Sequence, residues 1–193
     1  MIRVVLASAS PRRHELLSTI GIPFTVRAPD IDESPKQGES PTAYVRRLAS
    51  AKAAAISATI DELVIAADTT VDLDGQILGK PIDGRDAAAM LRRLSGRTHR
   101  VHTGVAVRRD GREHVDVCTT LVTFVALDDA TIDWYVSTGE PLDKAGAYAL
   151  QGAGAALVRS VRGSVSNVVG LPLHAVIELA VRAGVDLLDR SSW

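Results

Sequence analysis

A chain of 193 residues, 46% hydrophobic and 23% charged, has the balance of an ordinary globular protein and can bury a sizeable core. Its net charge of −1 supplies no general field for nucleic acid, and its single cysteine, Cys118, excludes an internal disulfide. No apolar stretch approaches the ~20 residues of a membrane span, and no long signal-type apolar region opens the chain, so a cytoplasmic protein is expected. Aromatic residues are only 4%, so the core must be built from Ala, Val, Leu and Ile.

The chain opens with Val4-Val5-Leu6-Ala7, a strand-like run, followed by a polar turn from Ser8 to Ser10. Ser10 is a good helix N-cap and Pro11 a good first helical residue, since proline lacks only an N–H that has no partner there. Leu16, Leu17 and Ile20 form an apolar stripe that Gly21 ends. Arg12 and Arg13 therefore fall in the first helical turn. Free amides and two guanidiniums at one helix start attract an anion.

Phe24 to Arg27 reads as a second strand, and Ala28 to Ser40 as a polar loop carrying Asp30, Asp32, Glu33 and Glu39. One acid of such a loop could hold magnesium or manganese, which take oxygen ligands. The residues alone do not choose Glu33 over Asp32. Ser40-Pro41 repeats the cap-plus-proline start. The helix from Thr42 to about Ala58 is expected to place Tyr44, Leu48, Ala51, Ala55 and Ile56 on or near one face, with Lys52 near its middle. Leu63 to Ala67 is an unbroken apolar run, a strand buried on both faces that ends at Asp68-Thr69-Thr70. A carboxylate at a strand's carboxyl end, Asp68, is a candidate general base or metal ligand.

Val71 to Leu78 reads as a hairpin turning at Asp74-Gly75. Lys80, between Gly79 and Pro81, and Lys52 are each candidate phosphate ligands, or else surface lysines. Asp83 caps a helix that stops at Ser95-Gly96. His99 to Arg109 and Arg112 to Val125 are two long strands joined at Asp110-Gly111, with Cys118 buried in the second as a small hydrophobe. Asp128 caps a helix closed by Gly139. Glu140 to Gly154 is glycine-rich loop with a strand-like piece at Tyr148 to Leu150, and Ala155 to Val161 is another strand. A last helix opens at Gly170-Leu171-Pro172 and stops at Gly184, and the tail offers Leu187 and Leu188 to dock before Trp193. Alternating strands and helices around an antiparallel ribbon predict an α/β fold with a mixed, partly antiparallel sheet flanked by helices.

Several chemistries are missing. There is no phosphate loop with Gly-Lys-Ser/Thr, no Gly-x-Gly-x-x-Gly after a strand and no Gly-x-Ser-x-Gly elbow. The five histidines lack zinc spacing, and His99 and His102 would face opposite sides of a strand. What remains is Arg and Lys for an anion, carboxylates for a metal, and an aspartate on a buried strand. That set suits metal-assisted attack of water on a phosphoanhydride.

Ser8-Ala9-Ser10-Pro11-Arg12-Arg13-His14-Glu15-Leu16-Leu17 resembles the opening signature of the Maf family, nucleoside triphosphate pyrophosphatases first described as septum formation inhibitors. The likeness continues through Tyr44 to Ala49 with Lys52, Ala67-Asp68-Thr69, Leu78 to Pro81, Leu94 to His99, Gly139 to Tyr148, Gln151-Gly152 and Val169 to Pro172. It covers essentially the whole chain as one domain, residues 1 to 193. The resemblance implies two lobes around a cleft, like the inosine triphosphate pyrophosphatases. It implies hydrolysis of a nucleoside triphosphate between its α and β phosphates with a divalent metal, Mg²⁺ or Mn²⁺, and a homodimer. By the same resemblance Asp68 is the base and, with Glu33, a metal ligand. Ser8, Arg12, Arg13, Lys52 and Lys80 line the phosphate site. Arg12, Thr69 and Gln151 match the branch acting on dTTP and UTP. A second reading from another class is a nucleotide-binding regulator of cell division with incidental hydrolysis. A pure binder needs no base, so Asp68, Glu33 and Lys80 favour the enzyme. Few aromatics and the near-neutral charge argue against a nucleic-acid-binding protein.

Overall fold

The computed structural model describes residues 2–189, so Trp193 lies outside the described residues. The strands are β1 (Arg3–Ala7), β2 (Phe24–Val26), β3 (Glu62–Leu73), β4 (Gln76–Leu78), β5 (Thr98–Arg109), β6 (Arg112–Phe124) and β7 (Val158–Arg162). The helices are α1 (Pro11–Ser18), α2 (Pro41–Ala55), α3 (Gly84–Leu94), α4 (Asp129–Ser137), α5 (Val165–Val169) and α6 (Leu173–Arg182). All seven strands form one sheet in the order β2-β1-β3-β5-β6-β7, with β4 against β3. β1 runs parallel to β2 and β3, and the other pairings are antiparallel. The fold is α/β with a mixed, partly antiparallel sheet, as the alternation of elements predicts.

The long strand β3 carries the organisation. Its side chains alternate between faces. On one face Leu63, Ile65 and Ala67 join Leu17 of α1 and Val176 and Leu179 of α6 in one apolar cluster. Farther along the same face Val71 and Leu73 join Leu91 and Leu94 of α3 and Ile132 and Tyr135 of α4 in a second. Thr69 falls between the two. On the opposite face Val64 and Ala66 pack under Ala49 and Ala53 of α2 and Ile56 just after it, and Asp68 is next on that face.

Five expectations are corrected. β3 does not end at Asp68 but runs on to Leu73, because Asp68, Thr69 and Thr70 keep strand pairing with β5 while the Asp68 and Thr69 side chains find polar partners. The buried stripe of α2 is Val45, Leu48, Ala49, Lys52 and Ala53, whereas Ala55 is exposed. Tyr148 to Leu150 has no strand partner, and Ala153–Leu157 is a 3₁₀ turn rather than the start of a strand. Cys118 is only half-buried, and burial together with Asp116 and Glu178 pushes its thiol up to about 11. The turn signals hold. Asp74 and Gly75, and Asp110 and Gly111, take the positive φ values that a tight hairpin turn demands. Leu187 is buried in the first cluster, and Leu188 is exposed.

One ion pair ties the sheet's edge. Glu62 at the start of β3 accepts both guanidinium nitrogens of Arg27 and the Thr59 N–H, which hold its carboxyl down to about 2. A carboxyl depressed in the folded state stabilises the fold above its ordinary pKa and ceases to do so as the pH falls through the depressed value. Glu62→Gln is therefore expected to lower the urea midpoint at pH 7 and to match the parent near pH 2. An equal gap at both pH values would mean that the charge is not what stabilises.

Candidate active site

β1 pairs with β3 only over Glu62 to Ala66, and β4 resumes on the same edge at Val71. Between them, among the described residues, the edge of β3 from Ala67 to Thr70 has no strand beside it. A cavity of about 560 Å³ opens at this gap, a size usual for small-molecule sites. Because the gap breaks the edge, both Asp68 from one face and Thr69 from the other reach the cavity wall.

The acidic side of the cavity is built by α2. Ser40 caps this helix by accepting the Ala43 N–H, and Pro41 takes its first position. The apolar stripe then carries Lys52 into the interior against β3. Its Nζ lies 2.7 Å from Asp68 Oδ1 and 2.7 Å from Glu33 Oε1. The Lys52 and Asp68 side chains are each only 8% exposed, while that of Glu33 is 52% exposed. A buried ammonium is costly unless paired and hydrogen-bonded, and two carboxylates meet that condition. Tyr44 donates its hydroxyl to the Glu33 carbonyl and so anchors the acidic loop to α2. Burial raises the Asp68 carboxyl above its usual range, opposed by the nearby charges of Lys52 and Arg13.

The basic side is built by the β1–α1 turn. The Ser10 side chain does not cap α1. Instead the Ser10 N–H donates to Ser8 Oγ, so the first-turn amides receive no side-chain cap. Arg13 leaves this turn and spans the cavity floor. Its Nε donates to the Gly170 carbonyl at 2.8 Å, Nη2 to Thr69 Oγ1 at 3.2 Å and Nη1 to Ser8 Oγ at 3.4 Å. Burial lowers the affinity of Arg13 for its proton, and Asp68 and Glu33 offset part of that. Arg12, Lys80 and Lys144 also line the cavity. The Lys144 ammonium is pushed down by burial and by the neighbouring charges of Arg12 and Lys80. Cations crowded this way call for an anion between them.

The family model described as "Maf-like protein" matches residues 3–183. The chain belongs to the Maf family. It is 57% identical over 189 residues to a dTTP/UTP pyrophosphatase of Anaeromyxobacter dehalogenans, covering 96% of each chain. It is 56% identical over 191 residues to a dTTP/UTP pyrophosphatase of Myxococcus xanthus, covering 98% of this chain and 96% of the relative. A dTTP/UTP pyrophosphatase of Moorella thermoacetica is 53% identical over 193 residues, with 98% and 100% covered. Among solved structures, the Ham1 protein of Staphylococcus aureus is similar at 18% identity with a TM-score of 0.43, over 63% of this chain and 71% of that one.

In this Maf chain the cavity wall holds eight of the nine residues singled out from the sequence: Ser8, Arg12, Arg13, Glu33, Lys52, Asp68, Thr69 and Lys80. Gln151 is exposed and stands outside the wall, one residue beyond Leu150, which lines it. Two contributors were not singled out. Lys144 is one. The other is Glu140, which holds the loop next to the site: its carboxylate accepts the Tyr135 hydroxyl and the Ala153 and Gly154 N–H groups. A Cβ on Gly152 would lie 2.3 Å from that carboxylate, so glycine is required where the loop wraps it. The run Gly139 to Gly154 carried a signal, its glycine density, but nothing local to say that it folds around one carboxylate.

Among the described residues no group of three or more His, Cys, Asp or Glu side chains converges as a metal cage. Two carboxylates, Glu33 and Asp68, do converge on one positive atom, Lys52 Nζ. That donor set fits Mg²⁺ or Mn²⁺, hard cations that bind through one or two carboxylates and complete their shell with water and substrate phosphates. Among the described residues no helix is long and apolar enough to cross a membrane.

Proposed function

We propose that this protein hydrolyses nucleoside triphosphates, dTTP and UTP foremost, to the monophosphate and pyrophosphate. The observation that carries the reading is one cavity lined by several cations and a buried aspartate, in a chain 57% identical to a dTTP/UTP pyrophosphatase. Arg12, Arg13, Lys80 and Lys144 take the triphosphate oxygens, and the free amides of the α1 start and Ser8 add donors. Asp68 accepts a proton from a water molecule. The water oxygen bonds to phosphorus as the bridging P–O bond between the α and β phosphates breaks, and pyrophosphate leaves with the bridging oxygen. Lys52, released from one or both carboxylates by the incoming anion, adds a positive charge to the phosphates. Glu33 and Asp68 would hold the divalent cation, which when bound supplies charge neutralisation and makes a bound water more acidic. Most of the acceleration is then electrostatic, as for phosphoryl transfer generally.

Support for the pyrimidine preference is the name shared by these relatives together with Arg12 and Thr69 on the cavity wall, whereas Gln151 stands outside it. The test is a panel of nucleoside triphosphates with Mg²⁺ or Mn²⁺, read as pyrophosphate released. dTTP and UTP are expected to turn over fastest, and silence across the panel overturns the reading. Arg12 is half-buried, and burial lowers its proton affinity while Glu140 raises it. Losing a charge-assisted hydrogen bond costs about 1.5–3 kcal/mol. Arg12→Ala is thus expected to raise the KM for dTTP by roughly 10–150-fold with little change in Tm. Unaltered kinetics would make Arg12 a plain surface charge.

A further inference from the structure

Two fully buried polar side chains, Thr103 and Asn167, have no part in the chemistry above. Both lead to Arg13. Thr103 Oγ1 donates to the Asn167 carbonyl at 2.9 Å. A hydroxyl has one proton, so the 2.9 Å contact between Thr69 Oγ1 and Thr103 Oγ1 must use the Thr69 proton. Thr69 then faces Arg13 as an acceptor only, which is what the guanidinium Nη2 requires. The relay runs one way: Arg13 to Thr69, Thr69 to Thr103, Thr103 to the backbone of α5.

The same short helix holds Arg13 from its other end. Asn167 Nδ2 donates to the Val101 carbonyl at 3.0 Å and to Thr120 Oγ1 at 2.9 Å, fastening α5 to β5 and β6. Three residues on, Gly170 takes a φ of 123° and presents its carbonyl to Arg13 Nε. A guanidinium has five N–H groups. Three of them are held by Gly170, Thr69 and Ser8, and two remain for a ligand in the cavity.

We propose that Thr103 and Asn167 are positioning residues for Arg13: they set the proton direction of Thr69 and the place of the Gly170 carbonyl, and so aim two free N–H groups at the phosphate chain. The inference rests on the reading of the cavity as a triphosphate site. Replacing Thr103 by valine keeps its shape and removes the relay. In Thr103→Val the Thr69 proton loses its near acceptor and is left with the Gly170 carbonyl, 3.5 Å away, where it competes with Arg13 Nε.

The test has an arm independent of turnover. Proton exchange of the Arg13 Nε–H group, followed by nitrogen-15 NMR, is expected to be slow in the parent and at least ~10-fold faster in Thr103→Val, with Thr103→Ser restoring the slow rate. The kinetic arm is a double-mutant cycle in dTTP hydrolysis. Thr103→Val is expected to reduce kcat/KM ~10–100-fold in the parent background, mainly through KM, and less than ~2-fold in an Arg13→Ala background. Unchanged Nε–H exchange, or equal losses in both backgrounds, overturns the positioning role. Faster exchange in a protein that releases no pyrophosphate from any nucleotide would sustain the positioning role and sink the proposed function instead. Asn167→Leu serves as the second variant: it keeps the backbone carbonyl but removes the side-chain donor to Val101, and it is expected to free the Arg13 Nε–H as Thr103→Val does.

Discussion

Asp68→Asn is expected to lower turnover by at least ~10²–10⁴-fold, the usual contribution of a well-placed general base. The amide preserves shape and can still accept from Lys52, so the fold should persist. What it cannot do is take a proton from water. The parent's pH dependence is a sharper check. Burial raises the Asp68 carboxyl, and the base works only when ionised. The acid limb of kcat/KM should therefore lie above the ordinary aspartate value of about 3.9. The same shift has a stability consequence of the opposite sense. A carboxyl whose pKa is raised on folding binds protons more tightly in the native state, so it disfavours folding progressively as the pH rises through the raised value. Asp68→Asn removes that cost but leaves the buried Lys52 ammonium with Glu33 as its one carboxylate partner, so the two effects on stability at pH 7 oppose each other. Near-parental turnover in a folded Asp68→Asn variant would remove Asp68 from the reaction.

Lys52 also explains how the acidic side of the site is held together. Lys52 sits between Glu33 and Asp68 at 2.7 Å from each, which neutralises a buried acid that would otherwise face Tyr44 and the hydrophobic stripe of α2. Burial, with Asp68 and Glu33 acting in the same direction, pushes the Tyr44 hydroxyl up to about 12, so it stays a hydrogen-bond donor. The resting site is thus internally paired. Binding an anion exchanges those pairs for contacts with phosphate rather than creating charge in an empty cavity.

Much of this was readable from local signals, and the failures have physical causes. The helix starts at Pro11 and Pro41 and the hairpins at Asp74-Gly75 and Asp110-Gly111 depend on residues within a few positions, and each stands where expected. The polar triplet Asp68-Thr69-Thr70 looked like a strand end because it interrupts an apolar run. It is a strand interior because β5 pairs with it residue for residue, and that partner lies more than thirty positions away. α5 is too short for helical periodicity to register. Its value lies in Asn167, whose partners Val101 and Thr120 are on other strands. Lys52 was visible as a lysine among alanines, but only the packing of α2 reveals that it points inward. Residues of the site carried by local chemistry were legible, whereas those carried by long-range register were not.

Gly104 is the strongest case of the second kind, and its replacement by alanine should have a large effect for a single methyl group. Gly104 lies opposite Asp68 in the register of β3 and β5. A Cβ there would stand 2.2 Å from the Val45 carbonyl oxygen and 2.5 Å from its carbon. Glycine in a strand interior often marks close approach of another backbone, and here the backbone is α2. The obstacle is main chain in mid-helix, not a side chain that can swing aside, so the helix itself must move off the sheet. Overpacking of this kind costs typically 1–3 kcal/mol. A domain of this size loses roughly 2–4 °C per kcal/mol, so Tm should fall by about 2–12 °C. The larger loss should be functional. Lys52 lies on the same helix, two turns beyond Val45, and its bonds to Asp68 and Glu33 depend on the distance from α2 to β3. A displacement near 1 Å at a reacting centre can cost about 10²-fold, and Gly104→Ala is expected to lose activity on that scale even at temperatures where it remains folded. Calorimetry and dTTP turnover measured on the same preparation test both parts. A variant with parental Tm and parental turnover would show that α2 accommodates the methyl group and that its contact with Gly104 does not set the site.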